Sequence, residues 1–289
     1  MRLGVVILPE QRWELARSVW RGAEEFGFDH AWTYDHLAWR SLRDSAWFGT
    51  LTTLAAAATA TTRIRLGTLV TSPNFRHPVV LAKEAMTLDD LSGGRFTLGI
   101  GAGALGWDAA MLGDPPLSGP ERAARFEEFV ELLDALLREP RTSFDGRFYS
   151  AVEARSLPGC VQAPRVPFAI AATGPRGMHL AARFGQTWVT TGDRRQGEVL
   201  QAEDGAAVVK QQMQLLDNIC LDMGRDPATI GRLVLTGPGL EPGLASLDAF
   251  RRTRDRYEEI GVTDLVVHWP RSTEPYFGSV KVLEEIMST

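Results

Sequence analysis

The chain has 289 residues, 44% of them hydrophobic, enough to bury a large core either as one α/β barrel or as two smaller domains. A formal net charge of -5 without any long basic run excludes an electrostatic footprint for nucleic acid or an anionic membrane, so a small molecule is the expected partner. Cys160 and Cys220 are the only cysteines and form no CxxC pair; with no leader-like or bilayer-length apolar segment, the expected compartment is the reducing cytoplasm.

From the amino terminus, residues 2–8 form a short β-branched apolar run stopped by Pro9 and read as a strand. A helix over 11–26 follows, with Trp13 and Trp20 seven apart on a face expected to be core. The aromatic run over 28–34 reads as a buried strand that ends on Asp35 and His36, a carboxylate beside an imidazole. Imidazole titrates near neutral pH, so His36 suits a general acid or base. The blander alternative has Asp35 capping the next segment and His36 packing. A helix over 47–61 and a strand over 64–70 lead to Thr71 and Ser72. The next helix, 78–91, opens at Pro78 and closes on Ser92-Gly93-Gly94, where glycine supplies the left-handed residue a helix end needs.

A strand over 95–101 then runs into Gly99-Ile100-Gly101-Ala102-Gly103. This resembles a dinucleotide loop, and Glu121 lies near the distance of a ribose contact. Pro115, Pro116 and Pro120 interrupt the helix that such a loop requires, so close backbone approach is the better use of these glycines. After a helix over 120–138, residues 139–166 leave the repeat: Asp145-Gly146 lies between aromatic residues, and Pro158 and Pro164 follow, which predicts a hairpin insertion. The remaining strands fall at 167–172, 186–190, 232–236 and 263–268, and the remaining helices at 175–184, 201–223, 245–260 and 277–287. Eight βα units fill residues 1–289, the count of a single (β/α)8 TIM barrel with one insertion between the fourth helix and the fifth strand.

In such a barrel the carboxyl ends of the strands share one mouth. Asp35, His36, Thr71, Ser72, Gly101 to Gly103, Thr173, Gly174, Thr190 to Gly192, His268 and Trp269 would gather there. Hydroxyls and glycines beside a helix start suit a phosphate, so Thr190-Thr191-Gly192, with Arg194 and Arg195 beyond, is a candidate anion site; an ordinary polar loop is the alternative. Trp39, Trp107, Trp188 and Trp269 are expected to wall the mouth against an aromatic cofactor. The five histidines show neither HExxH nor HxH spacing, so no metal is expected.

Glu24 to Asp29 through Asp35-His36, Thr62 to Thr68 through Pro73 and His77-Pro78, and Leu88 to Gly103 resemble the bacterial luciferase-like superfamily. Ile170 to Pro175 and Ala181 to Trp188 extend the match, and the chain is most similar to the coenzyme F420-dependent branch. The resemblance implies a TIM barrel holding a deazaflavin, usually as a homodimer, with FMN and monooxygenase chemistry as the alternative and a non-catalytic flavin-binding barrel as a second. It places His36 at the reactive ring carbon, with Tyr34 or water as substitutes, and Asp35 beside it on the cofactor. Leu69 and Val70 would form a strand-end bulge, often with a non-prolyl cis peptide, behind the ring, with Thr71, Gly101, Ala102, Gly103 and Trp107 around it. Ala172, Thr173, Gly174, Thr190, Thr191 and Gly192 would hold the phosphate, with Arg194 reaching it or an acidic tail. The sugar-phosphate dehydrogenases of that branch carry a glutamate and an asparagine where this chain has Ala104 and Trp107. That departure implies a more apolar pocket, suited to reducing a conjugated C=C or C=N bond rather than oxidising a sugar phosphate.

Overall fold

The computed structural model describes residues 1–103, 107–192 and 199–288. The first half runs β1 (Arg2–Val6), α1 (Trp13–Glu25), β2 (His30–Thr33), α2 (Thr50–Ala60), β3 (Arg65–Thr68), α3 (Pro78–Leu91), β4 (Phe96–Gly101), α4 (Trp107–Met111) and α5 (Gly119–Arg138). Then come β5 (Arg141–Asp145), β6 (Ser150–Arg155), β7 (Phe168–Ala171), α6 (Pro175–Phe184), β8 (Thr187–Thr190) and α7 (Ala202–Asp222). The chain closes with β9 (Gly231–Leu235), α8 (Leu247–Glu259), β10 (Asp264–His268) and α9 (Val280–Met287). Every expected strand and helix is present within a few residues. The short α4 was not foreseen, because five residues after a glycine run carry no readable period.

Parallel strands close the barrel in the order β1, β2, β3, β4, β7, β8, β9, β10, with β10 pairing back onto β1. Strands β5 and β6 stand apart as an antiparallel hairpin. Its turn is held by α5: the Glu128 carboxylate accepts the backbone N–H groups of Arg147, Phe148 and Tyr149. Helix α5 begins at a capping box in which Ser118 and Glu121 satisfy each other's backbone donors, the device that ends the proline-broken segment before it.

Two apolar layers hold the barrel. One packs the outward faces of the strands, including Val5, Leu66, Leu98, Ile170, Trp188 and Leu265, against the helices. The other fills the barrel interior with Val6, Trp32, Tyr34, Leu69, Val189, Leu235 and Val266 among others. Below this inner layer the interior is polar but fully paired. Trp32 Nε1 donates to His30 Nδ1 at 2.6 Å, so that nitrogen is the acceptor and Nε2 carries the proton toward Asp264, 2.9 Å away. Burial pulls the Asp264 carboxyl up, but hydrogen bonds from His30 and Arg2 outweigh it and hold the group at about 2. The polar plug closes the amino-terminal end, which leaves the carboxyl-terminal end as the open one. Among the described residues, no helix is long and apolar enough to cross a membrane.

Candidate active site

At the carboxyl ends of the strands lies a cavity of about 500 Å³. Leu69, Val70, Ala171, Val189 and Leu235 make its apolar floor, and His36, Trp39, Trp107 and Asp108 stand on one side. Gly101, Ala102, Gly103, Ala172, Thr173, Thr190 and Thr191 complete the lining from β4, β7 and β8. The Leu69–Val70 peptide is cis. Ten of the residues expected around a cofactor thus share one cavity with His36.

His36 follows β2 and projects into the cavity with its side chain about one third exposed. Its Nδ1 lies 2.7 Å from Oδ2 of Asp108, a buried carboxylate in the first turn of α4. The other oxygen of Asp108 accepts the Leu37 backbone N–H at 2.7 Å. Trp107 carries the Arg43 guanidinium 4.6 Å above its ring, which ties α4 to the loop after β2. Position 104 lies outside the described residues; Trp107 lines the cavity as expected, and Asp108 beside it brings a carboxylate to the same wall.

Asp35 does not line the cavity. It is 1% exposed and faces inward, where Arg76 grips it with two hydrogen bonds of 2.7 and 3.0 Å and the Thr71 hydroxyl donates a third. A carboxylate removed from water requires this compensation, so Asp35 and Thr71 brace the wall beneath His36 instead of facing a ligand. Arg76 was not singled out from the sequence. The buried Asp35 implied a cation, but nothing in the spacing said which arginine would reach it.

On the opposite wall, Thr173 opens toward α6, whose first residues follow Gly174. Gly174 does not line the cavity; a Cβ there would meet nothing within 4 Å, so its position faces open space. Thr190 lines the cavity, yet its hydroxyl donates to Gln212 at 2.6 Å and accepts the Gly192 N–H at 3.1 Å. Thr190 therefore shapes the loop, and Gly192 turns it with φ +77. Thr191 remains on the lining. Arg194 and Arg195 lie outside the described residues.

Beside the cavity, Tyr34, which also lines it, His268 and the half-buried Tyr276 form a connected chain. The Tyr34 hydroxyl and His268 Nε2 are 2.7 Å apart, within hydrogen-bond distance. Tyr276 stacks on the imidazole at 3.5 Å, and its hydroxyl lies 3.3 Å from that of Tyr34. Burial pushes Tyr34 well above the usual phenol range and His268 down to about 3, so both stay neutral.

This depression makes a stability prediction. An exposed imidazole titrates near 6.5, so the unfolded chain binds the proton first. The stabilisation is complete above pH 6.5 and drains away as the pH falls toward 3, at about 1.4 kcal/mol per pH unit. Urea melts at pH 7.5 and 5.5 are expected to show this loss in the wild type and a smaller one in His268→Gln. Equal losses would remove His268 as the cause.

Two tryptophans depart from the expected wall. Trp188 is buried behind β8, its indole N–H donating to the Ala172 carbonyl, because side chains alternate along a strand and this one points to the helices. Trp269 stacks on Phe26 at 5.7 Å, against α1 rather than the mouth. Of the two tryptophans on α1, Trp20 is fully buried, whereas Trp13 is 37% exposed.

Residues 1–212 match the luciferase-like monooxygenase family. An F420-dependent glucose-6-phosphate dehydrogenase of Beutenbergia cavernae is 35% identical, over 88% of this chain and 87% of its own length. A 4-hydroxyprotoasukamycin monooxygenase of Streptomyces nodosus subsp. asukaensis is 36% identical over 58% of this chain and 46% of its own length. Among solved structures, an F420-dependent secondary alcohol dehydrogenase in complex with an F420-acetone adduct superposes with a TM-score of 0.80 at 17% identity, over 99% of this chain and 97% of that one. At that identity the likeness concerns the fold.

Proposed function

Because this chain belongs to the luciferase-like monooxygenase family, we propose that it is a coenzyme F420-dependent oxidoreductase. Its reaction moves a hydride between the reduced deazaflavin and a small organic substrate carrying a conjugated C=C or C=N bond. The observation that carries this reading is the cavity itself, with the His36 imidazole on one wall and Thr173 beside the start of α6 on the other.

The residues present fit the group. Leu69 and Val70 offer an apolar back for a flat ring, and Gly101, where a Cβ would meet a Val70 methyl at 2.8 Å, leaves room for Val70 to take that place. Thr173 and the N-terminus of α6, with open space at Gly174, offer hydrogen bonds and a favourable dipole to a phosphate. Thr191 and Arg194 are assigned to the same phosphate. When bound, the deazaflavin supplies the hydride chemistry. The barrel orients the ring, Trp39 and Trp107 exclude water, and His36 donates the proton. Tyr34 is the poorer donor, since burial pushes its hydroxyl well above the usual phenol range and it is already bonded to His268. Among the described residues lining the cavity, Asp108 is the only carboxylic acid, and both its oxygens are engaged.

The test is a fluorescence titration of the purified protein with F420 and with FMN. Saturable binding of F420 is the expected result. An FMN-dependent monooxygenase is the second reading, favoured by the likeness to the Streptomyces enzyme; preferential FMN binding with oxygen consumption would replace the first reading with it. Gly174→Glu is expected to weaken F420 binding at least tenfold while leaving the melting temperature unchanged, since the new side chain meets open space. An unaltered titration would contradict the phosphate assignment. A homodimer is the proposed assembly and the cytoplasm the proposed compartment; sedimentation as a monomer would remove the former.

A further inference from the structure

We infer that Asp108 is the positioning residue that decides which nitrogen of His36 faces the reacting atoms: it holds the proton on Nδ1 and leaves Nε2 for proton exchange in the cavity. This deepens the proposed reductase reading, although the tautomer itself does not rest on it. The 2.7 Å contact between Nδ1 and Asp108 Oδ2 is direct, and an ionised carboxylate only accepts, so Nδ1 must be the donor. The carboxylate cannot turn away, because Oδ1 is fixed by the Leu37 N–H at 2.7 Å. One buried side chain on α4 thus clamps both the ring and the backbone of the residue after it. The helix is anchored in turn by the Arg43 guanidinium over the neighbouring Trp107 ring. With Nδ1 occupied, Nε2 is the nitrogen left to the cavity that His36 lines. In a reduction, Nε2–H of the imidazolium breaks as the proton passes to the substrate atom adjacent to the one receiving hydride. His36 is left neutral with Nδ1–H still bonded to Asp108, and the next proton comes from water.

Leu37 makes the isosteric variant informative. In Asp108→Asn the amide oxygen must face the Leu37 N–H, a donor, which turns the amide NH2 toward His36. Nδ1 is then forced to accept, and the neutral ring carries its proton on Nε2 instead. A serine protease shows the same logic when the carboxylate of its triad becomes an amide: geometry survives, the tautomer is wrong and turnover collapses.

The experiment is 15N NMR of imidazole-labelled, cofactor-free protein through a pH titration, with His36 assigned by comparison with His36→Gln. The expected wild-type result is an Nδ1 that keeps its proton throughout while Nε2 titrates; in Asp108→Asn the two nitrogens exchange roles. A wild-type Nδ1 that deprotonates, or a variant with unchanged nitrogens, overturns the inference. The wild-type spectrum alone suffices should the variant not fold. Turnover with F420 is expected to fall by roughly a hundredfold in Asp108→Asn with its KM little altered, and to recover partly in Asp108→Glu. The predicted spectra without any F420 turnover would sink the proposed reaction and leave the tautomer assignment standing.

Discussion

His36→Ala is expected to lower turnover by roughly a hundredfold or more, the range contributed by a positioned general acid, with the affinity for F420 little changed. The split follows from where the ring sits. His36 is one lining residue among many, so binding is expected to survive its loss. Proton delivery does not, because the other acidic groups on the described lining are engaged: Asp108 holds the Leu37 N–H, and the Tyr34 hydroxyl is bonded to His268. The variant also leaves one oxygen of a buried carboxylate without its donor, which costs about 1–3 kcal/mol. A modest fall in melting temperature is therefore part of the prediction. Steady-state rates beside a cofactor titration separate the two effects. Wild-type turnover in His36→Ala would remove the imidazole from the chemistry, whereas lost binding would make it a cofactor contact instead.

The barrel was readable because its signals are local and repeated. Short apolar runs alternate with helical periods, and Pro78, Pro175 and Gly93-Gly94 sit where helices begin and end. His36 was legible for the same reason: a strand end in a parallel barrel points to the mouth wherever the strand lies. What could not be read depends on contacts between distant segments. Asp35 and His36 are neighbours in the chain, yet one faces Arg76 in the wall and the other the cavity, and only the bend after β2 decides which. Asp108 lay one residue beyond Trp107, in a stretch whose short helix has no period. Trp188 was misplaced by a single step of strand alternation, enough to turn it from the mouth to the helix layer.

Gly99→Ala is expected to destabilise the fold by at least about 3 kcal/mol, the upper end of what overpacking usually costs, although the change adds one methyl group to an apolar strand. A Cβ at Gly99 would lie 1.8 Å from the backbone oxygen of Thr68 and 2.9 Å from its carbonyl carbon. Backbone cannot rotate aside as a side chain can, and this backbone is pinned. The Gly99 carbonyl accepts both the Thr68 hydroxyl at 2.7 Å and the Thr71 N–H at 2.8 Å. Strands β3 and β4 must therefore part at the point where Leu69 and Val70 turn in to floor the cavity, so F420 binding is expected to fail along with stability. Gly101→Ala should cost less, because its Cβ would meet a Val70 methyl at 2.8 Å, and a methyl can move. Gly174→Ala, facing open space, should cost least. Thermal melts read the order directly, each kcal/mol being worth roughly 2–4 °C in a domain somewhat smaller than this one. A Gly99→Ala protein as stable as Gly174→Ala would mean that β3 and β4 have room between them, and that the glycine is not what brings the cavity floor into place.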